Sequence, residues 1–211
     1  MEFGTYESCQ KTANGEIGCY GPLVVWPIVP TVRGCVLFRL LFICCLGAAL
    51  SVPVADAAGR RASASLSSLD LGVLAQLNIV RVEHRLAPFQ ANGGLNGAAT
   101  QHSTEMATDG YFAHSSADGS LFWRRLLQYF PRTGTASWSV GENLFWTSGA
   151  VDPRRVVARW MASPDHRSNI LNPNWREIGI SSISESAAPG AFDNLDVVII
   201  TTDFGGRDSN T

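Results

Sequence analysis

The chain has 211 residues, with 16 Lys+Arg against 18 Asp+Glu and a formal net charge of −2. It therefore lacks the basic footprint of a nucleic-acid binder or of a protein that clings to anionic membranes. Apolar residues make up 45%, too many for a disordered chain, and no internal repeat is visible. The totals hide a break, because all five cysteines (Cys9, Cys19, Cys35, Cys44, Cys45) precede residue 46 and the only lysine is Lys11.

The N-terminal quarter reads as an address. Arg33 and Arg39 precede the uncharged run Leu40–Leu50, and Ala55-Asp56-Ala57 follows as a small-x-small site before Ala58. A basic segment, a short apolar run and such a site describe a secretory signal peptide, here over about 32–57. A membrane-spanning helix needs about 20 apolar residues, and Pro53 interrupts this run first. Cys44 follows Ile43, and Cys45 follows Cys44, so neither has the small preceding residue of a lipid-anchor site. Residues 1–31 are an odd extension ahead of an export signal, and a translation start near Val32 is one expectation. The expected mature chain, 58–211, carries 13 Arg against 14 Asp+Glu and no cysteine. Thiol catalysis, zinc–thiolate sites and iron–sulfur clusters are excluded in it. A domain of about 150 residues buries about 68–70% of its unfolded surface, enough to fold without cross-links.

Residues 58–68 are small and polar and read as a linker. From Leu69 the spacing of Leu71, Leu74, Leu77, Val82 and Leu86 predicts a helix, with Arg81, Glu83 and Arg85 on its outer side and Pro88 ending it. After the loop Asn92-Gly93-Gly94, the recurrence of Leu95, Ala99, His102 and Met106 predicts a second helix that stops at Asp109-Gly110. The polar turn Ser115–Ser120 leads to a third amphipathic stretch, Leu121–Phe130. Thr133–Ser137 reads as loop, and Trp138–Trp146 mixes strand and turn character. Asp152-Pro153 is a helix start, with Val156, Val157, Trp160 and Met161 as the buried stripe. Pro164 interrupts that helix, and Asp165–Leu171 is expected to add one turn. Trp175–Ile183 and Leu195–Asp203 read as strands. Helices followed by strands predict an α+β layered fold.

Four histidines and fourteen carboxylates of residues 58–211 could carry chemistry. His84 sits among charges on a polar helix face and reads as solvated. His102 lies on an apolar stripe, where a satisfied core histidine is the plainer reading. His114 and His166 lie at a helix end and a helix interruption, places where side chains converge on clefts. Glu142 stands between Gly141 and an apolar run, a place that demands a partner for a charge. Two imidazoles and a carboxylate could hold zinc with an open water position, or form a metal-free polar cluster that holds loops together. The spacing 114, 142, 166 does not choose between them, and neither H-E-x-x-H nor G-x-S-x-G occurs in the chain.

Four segments in order carry a family resemblance: Phe112–Gly119 around His114, Gly141–Leu144 around Glu142, Trp160–Pro173 around His166, and Glu177–Ile180. With the closing strand Thr202–Gly206, they resemble the bacterial SCP-like branch of the CAP superfamily, which groups cysteine-rich secretory, antigen 5 and pathogenesis-related proteins. The resemblance runs from about Leu69 to Gly206, and the expected domain is 69–207 with a tail at 208–211. It implies a three-layer α-β-α sandwich with a central antiparallel sheet. It also implies a cleft marked by two His and two Glu, of which His114, Glu142 and His166 match three. Thr147–Arg159, where the second glutamate would fall, holds no Glu, and the family's disulfides are missing.

The expected function is that of a secreted or envelope binding module for a divalent metal, with zinc as one candidate, or for a lipid-like or peptide ligand or a cell-envelope component. Its alternatives are a purely structural domain and a zinc-dependent hydrolase. In the hydrolase, His114 and His166 would hold the metal and Glu142 would act as general base. Arg167 and Asp203 are candidate outer partners of the histidines. No nucleic-acid partner is expected, and no integral membrane association after processing.

Overall fold

The computed structural model describes residues 6–11, 17–20, 66–132 and 135–209. The expected signal segment, its cleavage site and the Val32 start lie outside them. A sheet of order β2-β1-β4-β6-β5-β3 runs through the middle of the described chain. Its centre is three long antiparallel strands, β4 (Thr135–Ser148), β5 (Glu177–Ala188) and β6 (Leu195–Ser209). The two-residue β3 (Gln90–Ala91) joins the edge of β5 in parallel, the one departure from an antiparallel sheet among the described strands. The hairpin β1 (Tyr6–Lys11) and β2 (Ile17–Tyr20) extends the other edge, with Tyr6–Lys11 antiparallel to Val140–Phe145.

Side chains alternate across a strand, and β4 shows what each face is for. Val140, Leu144 and Trp146 point to one layer and Phe145 to the other. Helices α1 (Ser68–Glu83), α4 (Pro153–Ala162) and α5 (Pro164–Ile170) cover the Phe145 face. There Val73, Leu77, Val156, Val157, Trp160 and Ile170 meet Phe145, Ile180 and Phe204. Helices α2 (Gly93–Asp109) and α3 (Phe122–Tyr129) cover the opposite face with Leu95, Ala98, Met106, Phe122 and Leu126. The result is the expected α-β-α sandwich. The approach of α2 to β5 depends on Gly179: a Cβ there would lie 2.0 Å from the backbone carbon of Leu95.

The helix limits follow local chemistry. Ser67 and Asp70 cap α1 reciprocally, Asp70 N to Ser67 Oγ at 3.1 Å and Ser67 N to Asp70 Oδ2 at 2.9 Å. Gly110 ends α2 in the left-handed region at φ 70°, where a side chain would be strained. Asp152 caps α4 through Arg154 N at 2.9 Å. The span Trp138–Trp146 is continuous strand, and β4 already begins at Thr135. Its partner β6 runs on to Ser209, six residues past the expected end at Asp203.

The phase of α1 corrects the sequence reading. Leu71 and Val82, expected inside, are 54% and 61% exposed, whereas Arg81, expected outside, is fully buried. Its guanidinium donates to four backbone carbonyls, Ala87 and Ile170 at 2.7 Å and Asn172 and Trp175 at 3.0 Å. It also lies 3.9 Å from the centre of the Phe89 ring. Arg81 thus ties the turn after α1 to the α5–β5 connection, and that tie sets the rotation of the helix. The helix also stops at Glu83, well before Pro88, because Arg85 takes a positive φ of 59°.

Candidate functional site

Glu142 and Asn143 are consecutive residues of β4, so their side chains leave by opposite faces. Glu142 enters the α2/α3 layer and is wholly buried. Its Oε1 lies 2.6 Å from His114 Nδ1, and its Oε2 accepts from Arg125 Nη2 on α3. A carboxylate accepts only, so His114 donates through Nδ1–H, and in the neutral ring the lone pair lies on Nε2. His114 itself is 8% exposed. His102 of α2 completes the surroundings, with Nε2 at 3.9 Å from Glu142 Oε1 and 2.9 Å from the carbonyl oxygen of Ala113.

Three of these bonds reach the loop 111–121. His102 binds the Ala113 carbonyl, Glu142 binds His114, and Arg125 Nη1 donates to Ser116 Oγ at 2.9 Å. The loop is therefore fastened by one group from each of α2, β4 and α3. At the outer side of His102, Tyr111 Oη lies 3.5 Å from Nδ1 and donates to Glu105 Oε2 at 3.3 Å. Gln101 Nε2 holds the other Glu105 oxygen at 2.6 Å.

Electrostatics follow the geometry. Burial disfavours the charge on Glu142, but Arg125, His102 and His114 outweigh it and hold the carboxyl far below the usual range. Burial drives His102 down, against the pull of Glu142, so its ring is neutral under ordinary conditions. The neighbouring His102, and with it the Gln101 amide, brings Glu105 down to about 2. Tyr111 is pushed up by burial and then by Glu105. Arg125 loses to burial but regains more from Glu142 and Asp203, and ends above its ordinary value.

The expected site residues separate. His114 and Glu142 are joined directly. His166 belongs to α5, on the side of the sheet that Asn143 faces: its carbonyl accepts from Asn143 Nδ2 at 3.1 Å, and its Nδ1 lies 2.8 Å from Ser163 Oγ. Asn169 of the same helix donates to Asn143 Oδ1 at 2.7 Å and to the Glu142 carbonyl at 3.0 Å. Arg167 is exposed on α5. Asp203 on β6 stands directly across the sheet from Glu142.

Among the described residues no three His, Cys, Asp or Glu side chains are grouped so as to hold a metal ion. A zinc bound by His114, Glu142 and His166 does not fit this arrangement, because both Glu142 oxygens are committed to protein donors. Sequence reasoning missed Arg125, whose signal was its place between Phe122 and Leu126 on the buried stripe of α3. A charge there needs a partner, as Glu142 does.

A family model described as "CAP: Cysteine-rich secretory protein family" matches residues 74–198. The uncharacterized protein YkwD of Bacillus subtilis (strain 168) is 33% identical over 127 residues, which is 60% of this chain and 47% of that protein. The uncharacterized membrane protein YlbC of the same organism is 29% identical over 108 residues, 51% of this chain and 30% of that one. The chain thus spans less than half the length of either relative. Among solved structures, an outer surface protein from Borrelia burgdorferi aligns with a TM-score of 0.49 at 19% identity, covering 64% of this chain and 90% of that one. An extracellular protein containing an SCP domain from Bacillus anthracis str. Ames aligns with a TM-score of 0.46 at 24% identity, covering 63% and 38%. With more than half of its residues matched by the family model, the chain belongs to the CAP, or cysteine-rich secretory, protein family.

Proposed function

We propose that the chain is an exported binding module of this family whose recognition group is His114. The observation that carries the reading is the Arg125–Glu142–His114 chain of contacts. A buried carboxylate, neutralised from behind by a guanidinium, fixes the tautomer and orientation of one imidazole. Nε2 itself is buried in this structure, so the reading requires loop 111–121 to shift before that edge of the ring meets a ligand hydroxyl or amide. Half-buried Phe112 and exposed Leu121 flank it in the chain and supply apolar surface. A lipid-like or peptide ligand with a donor group suits this chemistry better than zinc. Export is supported by the basic, apolar and small-x-small order of residues 33–57, and cleavage after Ala57 would leave the sheet without β1 and β2.

The same contacts favour an orienting role for Glu142 over that of a general base. Glu142 is wholly buried, and each of its oxygens already accepts from a protein donor, so it is not placed to take a proton from water. A purely structural reading has its own support in the three bonds that fasten loop 111–121.

Ligand titration separates the readings. The purified protein, with its histidine rings followed by NMR, is titrated with zinc chloride alone, with a lysophospholipid below its micellar concentration, and with a pool of short peptides. The binding reading expects the His114 resonances to shift with the lysophospholipid or the peptides, and the response to vanish in His114→Ala. Binding that survives His114→Ala, or a shift with zinc alone, overturns it. No response to any probe leaves the structural role in possession.

A further inference from the structure

The buried cluster holds one carboxyl more than its permanent cation can pair. Asp203 is wholly buried on β6, opposite Glu142 in the β4–β6 register, and on the same face of the sheet. Neither of its oxygens receives a hydrogen bond from a neighbouring donor, and Arg125 Nε is buried without a partner as well. Arg125 places Nη2 on Glu142 and Nη1 on Ser116, and its Nε makes no hydrogen bond to Asp203. The groups that act on Asp203 are Glu142 from β4 and Arg125 from α3, with His102 of α2 against Glu142 and Glu105 beyond it. His114 comes from the loop. On β5 the register partner is Gly179, which admits the backbone of α2 and brings no side chain.

We propose that Asp203 and Glu142 form a buried carboxyl pair that stores a single proton, on Asp203, and that losing this proton unseats the loop 111–121. With Asp203 neutral, the buried centre of the cluster is balanced, one Arg125 guanidinium against one Glu142 carboxylate. With Asp203 ionised, two carboxylates compete for one guanidinium in a site buried away from solvent screening. Arg125 then has two claimants, and any turn towards Asp203 takes its donors from Glu142 and from Ser116. The Ser116 anchor and the back support of the His114–Glu142 bond weaken together. Burial first, and then the Glu142 charge, favour keeping the proton on Asp203 well above the usual carboxylate range. The pair is a proton site independent of what His114 binds, and it would work in a module of either purpose.

The sign of the effect is fixed by linkage. The folded state keeps this proton to higher pH than the unfolded chain does. The contribution to stability is therefore full below the unfolded-state carboxyl value, about 3.9, and is lost as pH rises through the folded-state value.

The test is a carbon-13 carboxyl titration of the purified chain with labelled aspartate, Asp203 being assigned by its disappearance in Asp203→Asn. The expected resonance stays at the protonated position through the range in which an ordinary aspartate, with a value of about 3.9, titrates. Amide exchange across 112–120, corrected for intrinsic rates, should rise over the interval in which Asp203 titrates, and should stay level in Asp203→Asn. In Glu142→Gln the Asp203 midpoint should drop by about one unit or more, since its like-charged neighbour is gone. An Asp203 resonance that titrates near pH 4 overturns the proposal, and this needs only the wild-type protein should Glu142→Gln fail to fold. Loop exchange that follows the same pH course in Asp203→Asn as in wild type overturns the link to the loop.

Discussion

The two faces of β4 at Glu142 and Asn143 solve the same problem, a polar side chain in the middle of a sandwich, by different chemistry. On one face Glu142 is buried with Arg125, His102, His114 and Asp203, so ionised groups must balance one another. On the other, Asn143 meets Asn169 and the His166 carbonyl, a network of neutral amides that needs no counter-charge. The amide face is fastening alone: it holds α5 to the sheet through neutral amides. The charged face fastens a loop and, in doing so, also aims an imidazole and stores a proton. Function is therefore expected on the side where balance is delicate, and scaffolding on the side where it is not.

The sharpest way to break this contrast is to unbalance the charged face. Arg125→Met leaves Glu142 buried without its cation, and the expected loss is about 3–5 kcal/mol, measured by urea unfolding. Asn169→Ala on the amide face leaves only neutral groups unsatisfied and should cost about 1–3 kcal/mol in the same assay. If the Asn169 variant loses more than the Arg125 variant, the two faces do not differ as described. A cap far from both, Asp152→Ala, should cost about 1 kcal/mol. Leu71→Ser should stay within about 0.5 kcal/mol, because that side chain faces solvent. A large loss there would restore the phase of α1 that the sequence suggests.

The pH course sharpens the same comparison. Glu142 and Glu105 are held low in the folded state, Glu105 at about 2. Their contribution is present above the unfolded-state glutamate value, about 4.3, and is lost as pH falls through the folded values. Chemical denaturation at a series of acidic pH values should show stability dropping below about pH 4. Asn169→Ala should keep that slope, and Glu105→Gln should flatten part of it. An Asn169 variant with a flattened acid slope would mean that the amide face carries charge as well.

Much of the fold was legible because local chemistry announced it. Asn92-Gly93-Gly94, Asp109-Gly110 and Asp152-Pro153 mark helix ends whose capping bonds the structure contains. Four short motifs in order pointed to the family and its three layers. The phase of α1 was not legible, since apolar spacing favoured the wrong stripe. Only the four carbonyls around Arg81 explain its burial, and three of them belong to residues 89 to 94 positions away. For the site, Glu142 was identifiable as a charge in need of a partner, and His114 as a loop histidine. Their union needed the pairing of α3 with β4, which no spacing encodes. His166 shares a motif-rich segment with the site, yet Asn143, one residue beyond Glu142, draws its helix to the other face.

The central claim is that Glu142 aims His114. The nitrogen-15 shifts of the His114 ring, read in its neutral form, test it most directly. The account predicts the Nδ1–H tautomer, with Nε2 carrying the lone pair, and a change towards a tautomer mixture in Glu142→Gln. A wild-type ring found with its proton on Nε2 would contradict it.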